Sequence, residues 1–149
     1  MSTITIRKLA PEHFPLARKF YKHFGQTNKT NRNDQIYAVF DDKGMQACLR
    51  IAPCEDARLL RGVFVAETHR RQRLACKLIL FALEQSKLNE IWAFPYRHLT
   101  TMYESLNFEN ITLGDAPTPI QKAFKVYSNQ GREISLMRWS DLGRIIQPN

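Results

Sequence analysis

The residues best suited to chemistry stand in one run. His69-Arg70-Arg71-Gln72-Arg73 follows the apolar stretch Val63-Phe64-Val65 and leads into Leu74 to Leu83, which has helical spacing. A helix N-terminus presents N–H groups without intrahelical partners and about half a positive charge, so carboxylates are favoured there and Arg is not. Arg70, Arg71 and Arg73 all fall within about a turn of that start, a local conflict that a bound anion would relieve. Helix N–H groups and guanidinium forks converge well on a phosphate or pyrophosphate. The alternative is a solvated Arg cluster, or arginines paired with distant carboxylates. Gly-rich phosphate loops are excluded here, because neither GxxxxGK[S/T] nor GxGxxG occurs and no glycine lies between Val63 and Asn110.

Other reactive side chains point to less. Cys48, Cys54 and Cys76 form an odd set without a CxxC pair or metal-ligand spacing, and read as reduced thiols that pack. No metal is expected. His13, His23 and His98 fall in or beside helices on solvated faces and receive no role. Charge is more telling: 22 Lys+Arg against 14 Asp+Glu leave a formal +8. That excess suits an anionic partner, whether nucleic acid, a phosphorylated cofactor or an acidic surface, and equally suits a solvated basic surface.

The elements that must position the basic run follow from length and periodicity. With 149 residues, 44% of them hydrophobic, the chain is expected to form a single domain over 1–149 with a real core, which excludes intrinsic disorder. No apolar run reaches the ~18 residues of a membrane span, and the N-terminus lacks a signal-peptide layout, so a cytoplasmic protein with no membrane partner is expected. Thr3 to Arg7 alternates as a first strand, Glu12 to Phe24 is amphipathic, and Gln26 to Asp34 is a polar surface loop. Ile36–Phe40 and Met45–Ile51 flank Asp41-Asp42-Lys43-Gly44 as a β-hairpin, and a third strand, Arg58–Val65, follows a break at Pro53–Asp56. The helix after the basic run carries two apolar stripes, Leu74/Leu78/Ala82 and Ala75/Ile79/Leu83. Ile91–Phe94 reads as a strand buried on both faces, Arg97–Leu106 as a short helix capped by Asn107, and Phe108–Leu113 as a strand. A helix over Ile120–Tyr127 and a strand over Arg132–Trp139 complete the order β-α-βββ-α-β-α-β-α-β. The expected class is α/β, with a single mixed central β-sheet flanked by helices.

Val65 to Leu78 resembles the acyl-CoA-binding motif of the GNAT-type N-acetyltransferases, [Q/R]-x-x-G-x-[G/A] after a strand, with Arg70 at its first position and Ala75 at its last. Ile4 to Leu9 resembles that family's first strand, and Met102 to Phe108 its helix-to-strand signature. The resemblance covers essentially the whole chain. Three positions depart from the pattern: Arg73 stands at the usual Gly, Glu67 where Pro is common, and Asn107 at a Gly. Tyr96 stands where many members carry Asn.

The resemblance implies a GNAT-like fold and an acetyl-CoA-dependent N-acetyltransferase with no metal, acting on an amine-bearing acceptor. Val63, Phe64 and Val65 would pair with the pantetheine, and Arg70, Arg71, Gln72, Arg73, Leu74 and Ala75 would hold the pyrophosphate. Tyr96 would lie beside the cofactor. Tyr103 would protonate the leaving thiolate, a role that competes with a core position beside Phe108. The general base is not evident; Glu55, Glu67, His69 and a water chain are candidates. Two other classes remain open at this stage, a non-catalytic CoA-binding sensor and a basic nucleic-acid-binding module. The latter is disfavoured because no recognition helix or RNP-like motif appears. A monomer and a homodimer are both compatible with the sequence.

Overall fold

The computed structural model describes residues 3–66 and 72–141. Among them the elements run β1 (Thr5–Lys8), α1 (Phe14–His23), β2 (Gln35–Asp41), β3 (Gly44–Cys54), β4 (Ala57–Val65), α2 (Gln72–Gln85), β5 (Glu90–Ala93), α3 (Thr100–Ser105), β6 (Phe108–Asn110), α4 (Thr118–Asn129) and β7 (Met137–Ser140). This is the order expected from the sequence. The strands form one mixed seven-stranded sheet in the order β1-β2-β3-β4-β5-β7-β6. β4 and β5 run parallel, while β1–β2, β2–β3, β5–β7 and β6–β7 are antiparallel. No helix of the described residues is long and apolar enough to cross a membrane.

The chain divides into two compact units, one of residues 1–52 and 61–87, the other of 53–60 and 88–149. In the first, β2 alternates between two helices, as a period of two requires. Ile36 and Ala38 join Phe14, Ala17, Phe20 and Tyr21 of α1 in one apolar cluster, whereas the Tyr37 ring meets Phe81 of α2 edge-on. Both stripes of α2 are used: Leu78 and Ile79 are fully buried, Leu74, Ala82 and Leu83 nearly so, and Lys77, Glu84 and Lys87 are exposed. In the second unit, Ile120 of α4 packs with Leu59, Trp92, Ala116 and Leu136. Ile91, Trp92 and Ala93 are buried on alternating sides, the pattern of a strand covered on both faces.

Several boundaries differ from the sequence reading, each for a local reason. A 3-10 turn at Pro11–His13 precedes α1, whose first turn contains Pro15, where a missing N–H costs nothing. Pro53 does not break β3: it is exposed, the strand runs on to Cys54, and the connection is the two-residue turn Glu55-Asp56 with Glu55 left-handed at φ 54°. Proline is tolerated in a strand where its missing donor falls outside the ladder. β6 ends at Asn110 because Leu113–Asp115 forms a 3-10 turn. β7 begins only at Met137, since the preceding residues bond to the β5–α3 connection through Arg97 N–H to Glu133 O and Ser135 N–H to Pro95 O.

Asn107 behaves as expected, with φ 72° at the exit of α3. Asn visits this region at small cost, glycine freely, and a β-branched side chain only with strain. Asn107→Gly should therefore stay within about 1 kcal/mol of the parent, while Asn107→Val should lose ~1–2 kcal/mol in thermal unfolding. Equal stability of the two variants would contradict the left-handed geometry.

Candidate functional site

The end of β4 and the start of α2 carry most of the residues singled out in the sequence. Val65 is buried, and Val63 and Phe64 are half-buried. The Phe64 ring packs against Phe20 and Phe24, at centroid distances of 5.9 and 5.5 Å. Its side chain belongs to the apolar core, so what Phe64 can offer a ligand is its backbone.

Arg70 and Arg71 lie outside the described residues, as do Glu67 and His69. Gln72 opens α2. Next to it Arg73 is exposed, Leu74 is buried in the helix stripe and Ala75 is half-buried. The first turn of α2 holds no acidic residue. A helix start with a solvated guanidinium and no carboxylate in its first turn fits an anion.

In the second unit, Tyr96 follows β5 and is 49% exposed, its ring stacked on His98 at 6.1 Å and 19°. Its backbone is held by a bridge to Ile134. Tyr103, on α3, is 5% exposed and meets Phe108 edge-on at 5.3 Å. The ring of Tyr103 is thus part of the core, as one of its two sequence readings has it. Glu55 sits exposed on the β3–β4 turn, and His13, His23 and His98 are exposed. Among the described residues no group of three or more His, Cys, Asp or Glu gathers as a metal site would require. Cys48 is fully buried, and desolvation pushes its thiol up to about 12, which keeps it protonated and inert.

A polar cluster inside the first unit is absent from the sequence reading. The loop Gln26–Asp34 lies at the surface as expected except at its end: Asp34 is buried, and its Oδ2 accepts from Arg50 Nη1 of β3 at 3.1 Å and from the Asn31 N–H at 2.8 Å. Arg50 Nη2 donates to Asn28 Oδ1 at 3.2 Å. From α1, the Tyr21 hydroxyl donates to the Gly62 carbonyl of β4 at 2.6 Å. Gly62 is left-handed, at φ 63°, in mid-strand. The one sequence signal for this cluster is that isolated glycine in a strand pattern, which marks a bulge or a close approach. An aspartate buried from a polar loop has no comparable signal.

No protein-family model and no curated protein matches the sequence. Solved structures do match the fold. N-acetylglutamate synthase from Neisseria gonorrhoeae, complexed with coenzyme A and N-acetyl-glutamate, is 10% identical with a TM-score of 0.67, over 94% of this chain and 35% of that one. The chain thus spans about a third of the synthase. A GNAT-family acetyltransferase from Staphylococcus aureus Mu50 is 12% identical with a TM-score of 0.61, over 93% of this chain and 99% of its own. The ribosomal-protein-S18-alanine N-acetyltransferase from Escherichia coli is 20% identical with a TM-score of 0.61, over 93% and 94%. At these identities the likeness establishes the fold.

The buried ion pair can be tested directly. Asp34→Ala leaves the Arg50 guanidinium buried without its carboxylate, and should destabilise by ~3–5 kcal/mol in urea unfolding. Asp34→Ala combined with Arg50→Met removes both charges and should recover much of that loss. A single variant as stable as the parent would contradict the burial of the pair.

Proposed function

We propose that this protein, whose fold is that of the GNAT acetyltransferases, is an acetyl-CoA-dependent N-acetyltransferase that moves an acetyl group to a primary amine by direct attack on the thioester. The observation that carries the reading is the start of α2 that follows β4 in the chain. β4 ends on the buried Val65 with the Phe64 ring packed on Phe20 and Phe24, and the 14-residue helix α2 has an exposed Arg73 and no acidic residue in its first turn. The fold is shared with two N-acetylglutamate synthase structures complexed with coenzyme A. Together these support a coenzyme A thioester as the donor.

On this reading acetyl-CoA supplies an activated thioester, and the residues of the chain bind it and manage two protons. The backbone of Val63–Val65 pairs with the pantetheine, and a backbone N–H near Val65 stabilises the oxyanion. Arg70, Arg71 and Arg73, with the first N–H groups of α2, hold the pyrophosphate. Tyr96 offers its exposed ring beside the cofactor. The amine nitrogen forms the new C–N bond and gives up a proton as the C–S bond breaks, and Tyr103 gives its phenolic proton to the departing sulfur. Glu55, Glu67, His69 or a water chain takes the amine proton.

Two measurements test this. Because a ligand that binds only the native state stabilises it by mass action, acetyl-CoA at 100 times its Kd should add ~2.7 kcal/mol and raise the Tm, while NAD and free phosphate should not. A flat melting curve at millimolar acetyl-CoA removes the reading, and binding without CoA release across a panel of amines marks a non-catalytic CoA-binding domain instead. Tyr103→Phe keeps the ring contact with Phe108 and loses only the hydroxyl. Acetyl-CoA affinity should stay within a few-fold while kcat falls by ~100-fold or more, the size of a general-acid contribution. Turnover at the parent rate would return Tyr103 to the core.

A further inference from the structure

Two side chains of the first unit, Tyr21 and Asn28, meet at Gly62 of β4, and two more stand behind Asn28. The Tyr21 hydroxyl, at the end of a fully buried ring, donates to the Gly62 carbonyl at 2.6 Å. A Cβ at residue 62 would lie 2.8 Å from Asn28 Oδ1 and 2.9 Å from the Tyr21 hydroxyl, so both groups sit where only glycine leaves room. Asn28 is held by Arg50, and Arg50 by Asp34.

Stability alone explains this arrangement poorly. The Asp34 and Arg50 side chains are 0% and 4% exposed, and a buried ion pair is often no more stabilising than well-packed apolar residues. Asp34 Oδ1 and Arg50 Nε are buried with no hydrogen-bond partner, which adds a desolvation cost. What the cluster does achieve is orientation. In a trans peptide the C=O and the following N–H point in opposite directions. Tying the Gly62 carbonyl to Tyr21 therefore fixes the direction of the Val63 N–H, at a residue whose φ of 63° lets the strand leave its regular course. Burial raises the Tyr21 phenol well above its ordinary value, so it stays a donor at any working pH.

We propose that Tyr21 and Asn28 are positioning residues that lock the Gly62–Val63 peptide, so that the backbone of Val63–Val65 meets the carbonyl oxygen of an acetyl thioester in one fixed orientation. The inference rests on the acetyl-CoA reading and adds to it the residues that aim the backbone. Neither side chain touches the thioester. Their effect passes through the main chain of β4.

Acetyl-CoA carrying 13C at the acetyl carbonyl tests this without knowledge of the acceptor. In the parent protein the carbonyl resonance should move downfield on binding, as a carbonyl does when it accepts hydrogen bonds. In Tyr21→Phe, which keeps the ring and loses the donor, that displacement should fall to about half or less, because a weakened oxyanion-type contact is read at the carbonyl itself. Affinity for CoA lacking the acetyl group should stay within about threefold, since one neutral hydrogen bond remote from the pyrophosphate is lost. Asn28→Ala, on a half-exposed loop position, should reduce the displacement in the same direction and serves if Tyr21→Phe fails to fold. An unchanged displacement in a folded variant overturns the proposal. So does a displacement that falls only in step with the loss of folded protein, which is the mark of a purely structural role. If the parent binds neither, the transferase reading itself fails, a result distinct from both.

Discussion

Gly62 turns left-handed in the middle of β4, and only glycine can stand there because Tyr21 and Asn28 already occupy the space of a side chain. Much of the first unit is arranged around that one residue. α1 must place Tyr21 so that its hydroxyl reaches the Gly62 carbonyl, which fixes the helix rotation that also buries Phe14, Ala17 and Phe20. The loop after α1 must fold back so that Asn28 lies over the strand, and Arg50 of β3 holds it there. On the other side of Gly62, Leu59 and Leu60 pair with Trp92 and Ala93 of β5 in parallel register. The same strand thus supplies ordinary ladder pairing before the glycine and the proposed thioester-facing backbone after it.

The two kinds of packing in the molecule contribute differently. The apolar clusters around Phe20 and around Trp92 supply the driving force, at about 25 cal/mol per Å² of apolar surface removed from water. They are non-directional and tolerate volume-conserving change. The Asp34–Arg50–Asn28 and Tyr21–Gly62 contacts contribute little net energy and much geometry, because each has one arrangement in which its donors and acceptors match. That division explains why Cys48 can lie beside the polar cluster as an inert thiol. It fills space there, and burial denies it a charge.

The order of elements is legible in the sequence because it rests on local periodicity. The 3.6-residue spacing of Leu74, Leu78 and Ala82 and the continuous run Ile91–Ala93 both appear in the structure as buried faces. Asn107 is legible because few residues accept a left-handed helix exit. Boundaries set by partners distant in sequence are not. Pro53 reads as a breaker and is carried as an exposed strand residue, and the stretch before Met137 alternates like a strand yet bonds to Pro95 and Arg97 instead. Asp34 is the clearest case: in a run of Asn, Gln and Thr it looks solvated, and it is buried by an arginine sixteen positions away. Of the candidate site, the basic run announces itself through residue type alone, whereas the residues that orient β4 become visible only once α1 and β3 are in place.

Arg73 ties the charge of the chain to this geometry. A glycine at that position would let a pyrophosphate approach the helix backbone, so that fixed N–H dipoles supply the attraction. An arginine there must point away from a pyrophosphate or contact it directly, and Arg73 is exposed at the first turn of α2 with a guanidinium fork on a flexible stem. Backbone donors are aimed by the helix itself and need no side-chain ordering, whereas an exposed fork must be ordered by the ligand and is screened within a Debye length of about 8 Å at physiological salt. On the acetyl-CoA reading, attraction of the anion at the α2 end of the site would fall to guanidinium groups, of which the described one, Arg73, is exposed. Orientation at the β4 end would then rest on the Gly62–Val63 peptide, whose carbonyl Tyr21 holds, so attraction and aim would be set by different residues.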